Sequence, residues 1–252
     1  LIVYEFGYYA FVFLAFILGR YFVFAGGTFV ALCWTARMAW SDRPWLPKYR
    51  LPLIKHDIHL SFYSALVFAP VAALMMLLYK AGYTRIYTSI DEYGWWYLGM
   101  SFAIALILQD TYFYFTHRLL HHSFGFRHLH KGHHRSRTPT PWTSFAFEPG
   151  EALIHSIFFV GLVFVLPLHY ATLIAALMTM TVWAIATHLG FPLIPMGSRL
   201  GRLCRGFIGP VHHGIHHRYY KTHFGLYFTF WDHILRTTDP HYSNPVISQR
   251  GQ

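Results

Sequence analysis

Nine histidines stand at short, repeated spacings: His117 and His121; His130, His133 and His134; His188; and His213, His216 and His217. Imidazole nitrogens are ligands for divalent transition ions. Residues four apart on a helix stack on one face, so His117 and His121, in DTYFYFTHRLLH, aim two rings at one region. HKGHH at 130–134 recurs as HGIHH at 213–217. In each, the i, i+3 and i, i+4 relations put two rings one turn beyond the first, diverging enough to reach two ions. A structural zinc takes four ligands and readily uses thiolate. Nine nitrogens without a cysteine oversupply one zinc and suit two ions of higher coordination number, held with pseudo-symmetry.

Ligating imidazoles commonly donate their second ring nitrogen to carboxylates, and Asp110, Glu148, Glu151 and Asp232 are the nearest candidates. Asp110 lies seven residues before His117, on the same helix face. His212, His223 and His155 are candidates for an extra ligand or a supporting role. His56, His59, His169 and His241 read as interfacial or surface residues.

The elements that position these rings are apolar. Of 252 residues 55% are hydrophobic, 20% aromatic and only 12% charged, a composition suited to lipid rather than water. Apolar segments run from about Tyr8 to Trp34, with Arg20 inside, then from Leu60 to Tyr79 and from Trp95 to Phe115. Arg20 either snorkels to the interface or faces a partner in the bundle. Residues 152–185 are about two spans long, broken near Pro167, His169 and Tyr170. Because histidine groups flank them on both sides, they should enter and leave on one face as a hairpin, tilted or only partly inserted.

The expected fold is all-α: an integral-membrane base of four helices, made of two spans, a third span and the tilted hairpin, under a helical cap that holds the dimetal centre. One domain, 1–252, then divides into 1–116, mainly transmembrane, 117–151, a first cap segment, 152–187, the hairpin, and 188–252, a second cap segment. The first segment lacks a basic n-region and a cleavage-like end and reads as an anchor.

The net charge of +10 is uneven. Residues 37–59 carry five basic and two acidic side chains, 80–93 two of each, and 196–252 seven basic and two acidic. Basic flanks mark the cytoplasmic side and anionic lipid rather than nucleic acid. On that rule the third span returns to the cytoplasm at His117. Cys33 and Cys204 suggest neither a disulfide framework nor a thiolate metal site.

HRLLH at 117–121, HKGHH at 130–134, TPTPWTSFAFEPGE at 138–151, His188 before LGF, HGIHH at 213–217 and FTFWDHILRT at 228–237 together resemble the fatty acid hydroxylase and sterol desaturase superfamily, nearest its sterol C5-desaturase-like and bacterial branch. The resemblance covers about residues 97–237. It implies an integral-membrane non-haem diiron oxygenase, with His117, His121, His130, His133, His134, His188, His213, His216 and His217 as metal ligands and one further histidine completing the set. It also implies O2 and two electrons from a donor such as cytochrome b5 or a ferredoxin. Zinc can replace iron in purified protein. Glu148 in FEPGE and His223 in HFG stand where the family often has His and Asn, and His223 becomes a candidate tenth nitrogen.

The expected reaction is hydroxylation or desaturation of an unactivated C–H position of a membrane lipid, with a sterol-like substrate favoured. Fatty-acyl, ceramide and carotenoid hydroxylases share the resemblance. A histidine-rich membrane metal transporter and a sensor are readings from other classes. Trp142, Phe145, Phe147 and Trp183, near the histidines, are candidates to line an apolar substrate tunnel. Expected location is the endoplasmic reticulum of a eukaryote or the inner membrane of a bacterium, with the centre on the cytoplasmic side.

Overall fold

The computed structural model describes residues 1–38, 51–195, 198–240 and 242. The interfacial loop expected at 41–50 and the surface residue His241 lie outside them.

Helix α1 (Ile2–Tyr21) continues through a π turn (Phe22–Gly26) into α2 (Gly27–Met38). A methyl group on Gly26 would stand 2.9 Å from the Trp142 ring, so the turn lets the indole pack on bare backbone. Helices α3 (Leu51–Lys80) and α4 (Trp95–Leu120) follow. With α7 (Tyr170–Thr187) they complete, among the described residues, four helical stretches long and apolar enough to cross a membrane, the first being Ile2–Thr35. Large apolar side chains such as Phe11, Phe16, Ile107, Ile157, Ile174 and Val182 are exposed, as expected where lipid rather than water is the neighbour.

Helix α1 runs antiparallel to α3, its start beside Lys80 and its end, at Tyr21, beside Ser61. At one end Lys80 Nζ lies 2.6 Å from Glu5 Oε2. At the other, the Tyr21 hydroxyl donates to the Trp142 carbonyl at 2.9 Å. The second end carries the histidines and is called the near end below.

The expected hairpin is α6 (Pro149–Val165) and α7. Pro149 starts α6 at a position whose N–H would have no helical partner. The tip includes β2 (Leu168–His169), which pairs in parallel with β1 (Ile86–Tyr87) of the α3–α4 connection in the register Ile86 to Leu168 and Tyr87 to His169. Arg85 N–H donates to Val163 O at 2.8 Å, and His169 Nε2 donates to Thr88 O at 3.0 Å. The hairpin tip therefore reaches the far-end connection between α3 and α4. The hairpin's arms, of 17 and 18 residues at a 1.5 Å rise, are each about 26 Å long, a little under a hydrocarbon thickness of about 30 Å. His169, expected at a surface, is buried in that tip and caps α7 through Nδ1, which accepts from Ala171 N–H.

At 26 residues, α4 is about 39 Å long, more than a hydrocarbon layer needs, so its last turns with His117 project into the cap. The cap contains α5 (Ser123–Gly125), a π turn (Phe126–His130), 3-10 turns at His133–Arg135 and Pro141–Phe145, α8 (Arg199–Leu203), a further 3-10 turn (Cys204–Gly206), α9 (Pro210–Tyr219) and α10 (Phe230–Ile234). HGIHH sits on regular helix. HKGHH does not: its first histidine ends a π turn and its last two begin a 3-10 turn.

Candidate metal centre

The nine clustered histidines converge as two groups. His117, His121, His130, His134 and His216 form one, and His133, His188, His213 and His217 the other; within each, one ligand atom per residue lies within 4.8 Å of all the rest. Each triplet divides the same way. The i, i+4 pair, His130 with His134 or His213 with His217, stays in one group while the i+3 residue crosses to the other. His117 and His121, from the end of α4, join the first pair, and His188, capping the end of α7, joins the second. All nine are buried except His121, which is half-buried.

Five of the rings are held by backbone. Nδ1 donates to a carbonyl oxygen in His117 (Phe224, 3.0 Å), His133 (Ala146, 3.3 Å), His188 (Ala184, 2.6 Å), His216 (Thr222, 2.7 Å) and His217 (Ser136, 3.1 Å). A carbonyl only accepts, so the proton is on Nδ1 and the Nε2 lone pair is free in each. His130 takes a carboxylate instead, its Nδ1 lying 2.7 Å from Glu151 Oε1.

These Nε2 atoms face one another: His117 to His130 at 3.2 Å, His130 to His134 at 3.0 Å, His134 to His121 at 3.1 Å, His188 to His213 at 3.0 Å and His213 to His217 at 3.1 Å. His216 Nε2 is buried with no hydrogen-bond partner among the described residues. Burial, reinforced by neighbouring imidazoles, holds His130, His133, His134, His213, His216 and His217 well below the usual histidine range; burial pushes His188 down to about 4. Neutral rings with opposed lone pairs repel unless a cation lies between them. Separations near 3.0 Å equal the edge of an octahedron with metal–nitrogen distances of about 2.1 Å. The residues present fit a pair of transition ions.

Loops bring in the supporting atoms. Asp110 accepts the backbone N–H groups of Leu226, Tyr227 and Phe228, and Asp232 those of Phe224 and Gly225 together with the Thr237 hydroxyl. Among the described residues the hydrogen bonds of both carboxylates go to this segment rather than to a clustered imidazole, and they clamp the 224–228 turn whose Phe224 carbonyl orients His117. Gly225 is required there, since a Cβ would collide with the Phe228 carbonyl. Glu148 accepts Gly132 N–H at 2.8 Å, fixing the bend inside HKGHH.

His155 stacks on Phe113, with Nε2 3.5 Å from Glu151 Oε1. His212 and His223 pair with each other and with Tyr242, outside both groups. His212 Nδ1 accepts from Gly209 N–H, and His223 Nε2 from Asp239 N–H. The candidate tenth nitrogen, His223, is thus spent on a turn that its left-handed backbone, φ 59°, helps to make.

Asp57 escaped the sequence reading. Buried near the start of α3, it accepts from Ser136 Oγ at 2.9 Å and Thr143 Oγ1 at 2.7 Å, and the Ser136 carbonyl in turn orients His217. The available signal was a carboxylate at the head of an apolar helix. The neighbouring His56, expected at the interface, donates from Nε2 to Gly132 O at 3.3 Å.

Below the rings lies an apolar cavity of about 700 Å³. His117, His130, His133, His188 and His213 close its near end, and Ile86, Thr88 and Tyr170 its far end. Of the four aromatic candidates, Phe145 and Phe147 line it. Trp142 is turned toward Tyr21, Phe22 and Phe29, and Trp183 donates to the Ile208 carbonyl and packs on Phe207 and Tyr227.

An all-helical membrane protein with a buried polyhistidine centre above a lipid-sized cavity is the class these features define. The chain belongs to the fatty acid hydroxylase family, whose family model matches residues 102–237. It is similar to a Delta(7)-sterol 5(6)-desaturase of Gibberella zeae (31% identical, covering 74% of this chain and 56% of the relative), to lathosterol oxidase of Rattus norvegicus (36%; 64% and 52%) and to lathosterol oxidase of Homo sapiens (29%; 75% and 62%). The chain thus spans little more than half the length of these relatives. No solved structure matches it.

Proposed function

We propose that this chain is a non-haem diiron membrane oxidase that uses O2 and two electrons to hydroxylate or desaturate an unactivated C–H position of a membrane lipid, with a sterol-like lipid as substrate. The observation that carries this reading is the placement of the two imidazole groups at the closed end of an apolar cavity of about 700 Å³, within the range of ligand pockets. The names of the sterol-oxidising relatives favour the sterol-like choice.

His117, His121, His130, His134 and His216 would hold one ion and His133, His188, His213 and His217 the other. Nine nitrogen donors without thiolate favour iron over a structural zinc. Bound iron would supply the redox chemistry with O2 that no side chain of the protein can provide.

The protein's own contribution is positional. Backbone carbonyls lock five rings with Nε2 forward. Glu151 stands 2.7 Å from His130 Nδ1, where a carboxylate would raise the donor strength of that ring. Phe145 and Phe147 exclude water and shape the cavity beside His133, the Phe147 ring lying 5.4 Å from that imidazole. Arg118, Arg127, Lys131 and Arg135 are exposed on the cap and offer a basic face to an acidic electron donor such as cytochrome b5 or a ferredoxin. The uneven basic charge favours the cytoplasm for that face, and we read 1–252 as one domain. Transport is disfavoured because a transport path needs ligands along the membrane depth, whereas here they gather at one end.

The test is anaerobic reduction of iron-loaded protein, then exposure to O2 with lathosterol and mass analysis of the sterol. Loss of two hydrogens or gain of one oxygen, with two irons bound per chain, is the expected result. Unchanged sterol from fully iron-loaded, reduced protein defeats the sterol reading.

A further inference from the structure

Arg20 sits on α1 inside an otherwise apolar span and lines the cavity. It does not snorkel away: its guanidinium carbon lies over the Phe145 ring, 5.3 Å from the centroid. Its Nε is buried with no hydrogen-bond partner among the described residues, and none of their ion pairs includes it. Asp57, a carboxylate at the same end, is occupied by Ser136 and Thr143.

Five other polar residues along the wall find partners of their own. Tyr112, Ser144, Ser156 and Thr187 each donate a hydroxyl to a backbone carbonyl, and Gln109 Oε1 accepts from Tyr227. Among the described residues that line the cavity away from the metal centre and its Glu151–His155 neighbourhood, Arg20 alone has a fully buried side-chain nitrogen or oxygen without a partner. A guanidinium in an apolar wall is costly unless an acceptor comes to it. Its delocalised charge and several N–H donors suit an oxygen, whether a hydroxyl or a carboxylate.

Position gives the group a meaning. Phe145 lies under Arg20, Phe147 is 6.4 Å from Phe145, and His133 is 5.4 Å from Phe147, so two aromatic rings separate the cation from the metal ligands. The rest of the cavity extends the other way, to Thr88 and Tyr170.

We propose that Arg20 is a specificity-determining residue that anchors the polar oxygen of the lipid substrate, so that the head is held near the centre, the tail fills the far half, and the oxidised carbon lies close to the head. This rests on reading the cavity as the lipid site. Arg20 lies outside residues 102–237, so the device belongs to this chain's first span rather than to the segment that defines the family.

The experiment measures equilibrium binding to the purified, metal-loaded full chain in detergent. The probes are lathosterol with its 3-deoxy hydrocarbon, and oleate with 9-octadecene, each against wild type, Arg20→Lys and Arg20→Met. Wild type should bind one oxygenated probe at least about tenfold more tightly than its hydrocarbon. Arg20→Met should bind the two alike, and Arg20→Lys should keep part of the preference. Bound metal equal to wild type shows that Arg20→Met is folded; should it lose metal, a reduced preference in metal-loaded Arg20→Lys serves in its place. A preference unchanged in the variants, or no preference in wild type for either pair, overturns the proposal. An Arg20-dependent preference for oleate alone upholds the anchor and removes the sterol reading. A sterol preference that ignores Arg20 keeps that reading and removes the anchor.

Discussion

Each clustered imidazole is a directed lone pair, and direction is what the surrounding atoms supply. His216 shows the logic best: Nδ1 is committed to the Thr222 carbonyl at 2.7 Å and Nε2 is buried with no partner among the described residues. His216→Ala should therefore cost the five-histidine group its ion while the four-histidine group keeps its own. Iron measured per chain should fall from two toward one, with lipid oxidation abolished. Glu151→Gln keeps the shape but removes the charge facing His130 Nδ1. Loss of such a supporting carboxylate weakens metal binding about 10- to 100-fold, which a chelator competition titration will read. The gathering of the clustered histidines was legible in their i, i+4 repeats, whereas His188, isolated in the sequence, was placed with them by the resemblance. The partners of their second nitrogens were not legible. The sequence favours carboxylates, yet five of the six assigned contacts are backbone carbonyls, which leave no trace in residue identity.

At the scale of elements, α4, α7, α9 and the HKGHH turns meet only because short loops are clamped between them. Asp110 on α4 collects three backbone N–H groups of the 226–228 segment. Asp110→Ala leaves those donors without their acceptor. At about 1–3 kcal/mol for an unsatisfied buried donor, partly recovered by water, the thermal midpoint in detergent should drop by roughly 5–10 °C. His117 should lose its orienting carbonyl at the same time, so iron content falls too. Asp110→Asn, which can still accept, should lose less of both. The spans and the hairpin were readable from apolar length, since a bilayer imposes that length. The place of the hairpin's tip was not: what holds it to the α3–α4 connection is a two-residue parallel pairing between Ile86–Tyr87 and Leu168–His169, too brief for any pattern. The irregular backbone of HKGHH was equally hidden, since Glu148 bends it from sixteen residues away.

For the whole molecule, one end of the bundle is polar and buried while the depth below it is hollow. Under the proposed function, that combination would make bound metal part of the fold. Stripping the ions with a chelator under reducing conditions should leave the opposed Nε2 lone pairs uncompensated, and the cap should become open to protease before the membrane helices do. Limited proteolysis with and without metal will show whether cleavage concentrates in 121–147 and 198–240. The hollow makes the complementary prediction. Leu177, on α7, lines the cavity and packs against the cluster of Ala105, Leu162, Val163, Leu168 and Leu173 that surrounds the hairpin tip. It is far in sequence from the ligand end of its own helix at His188, about 16 Å along the axis at 1.5 Å per residue. Leu177→Trp should shorten the usable cavity without disturbing the ions. Iron content should stay at the wild-type value while binding of a full-length lipid weakens about tenfold or more and that of a chain truncated by several carbons does not. If long and short lipids lose affinity equally, the cavity's far half does not receive the substrate's tail, and the length of the bundle below the metals serves the membrane rather than the reaction.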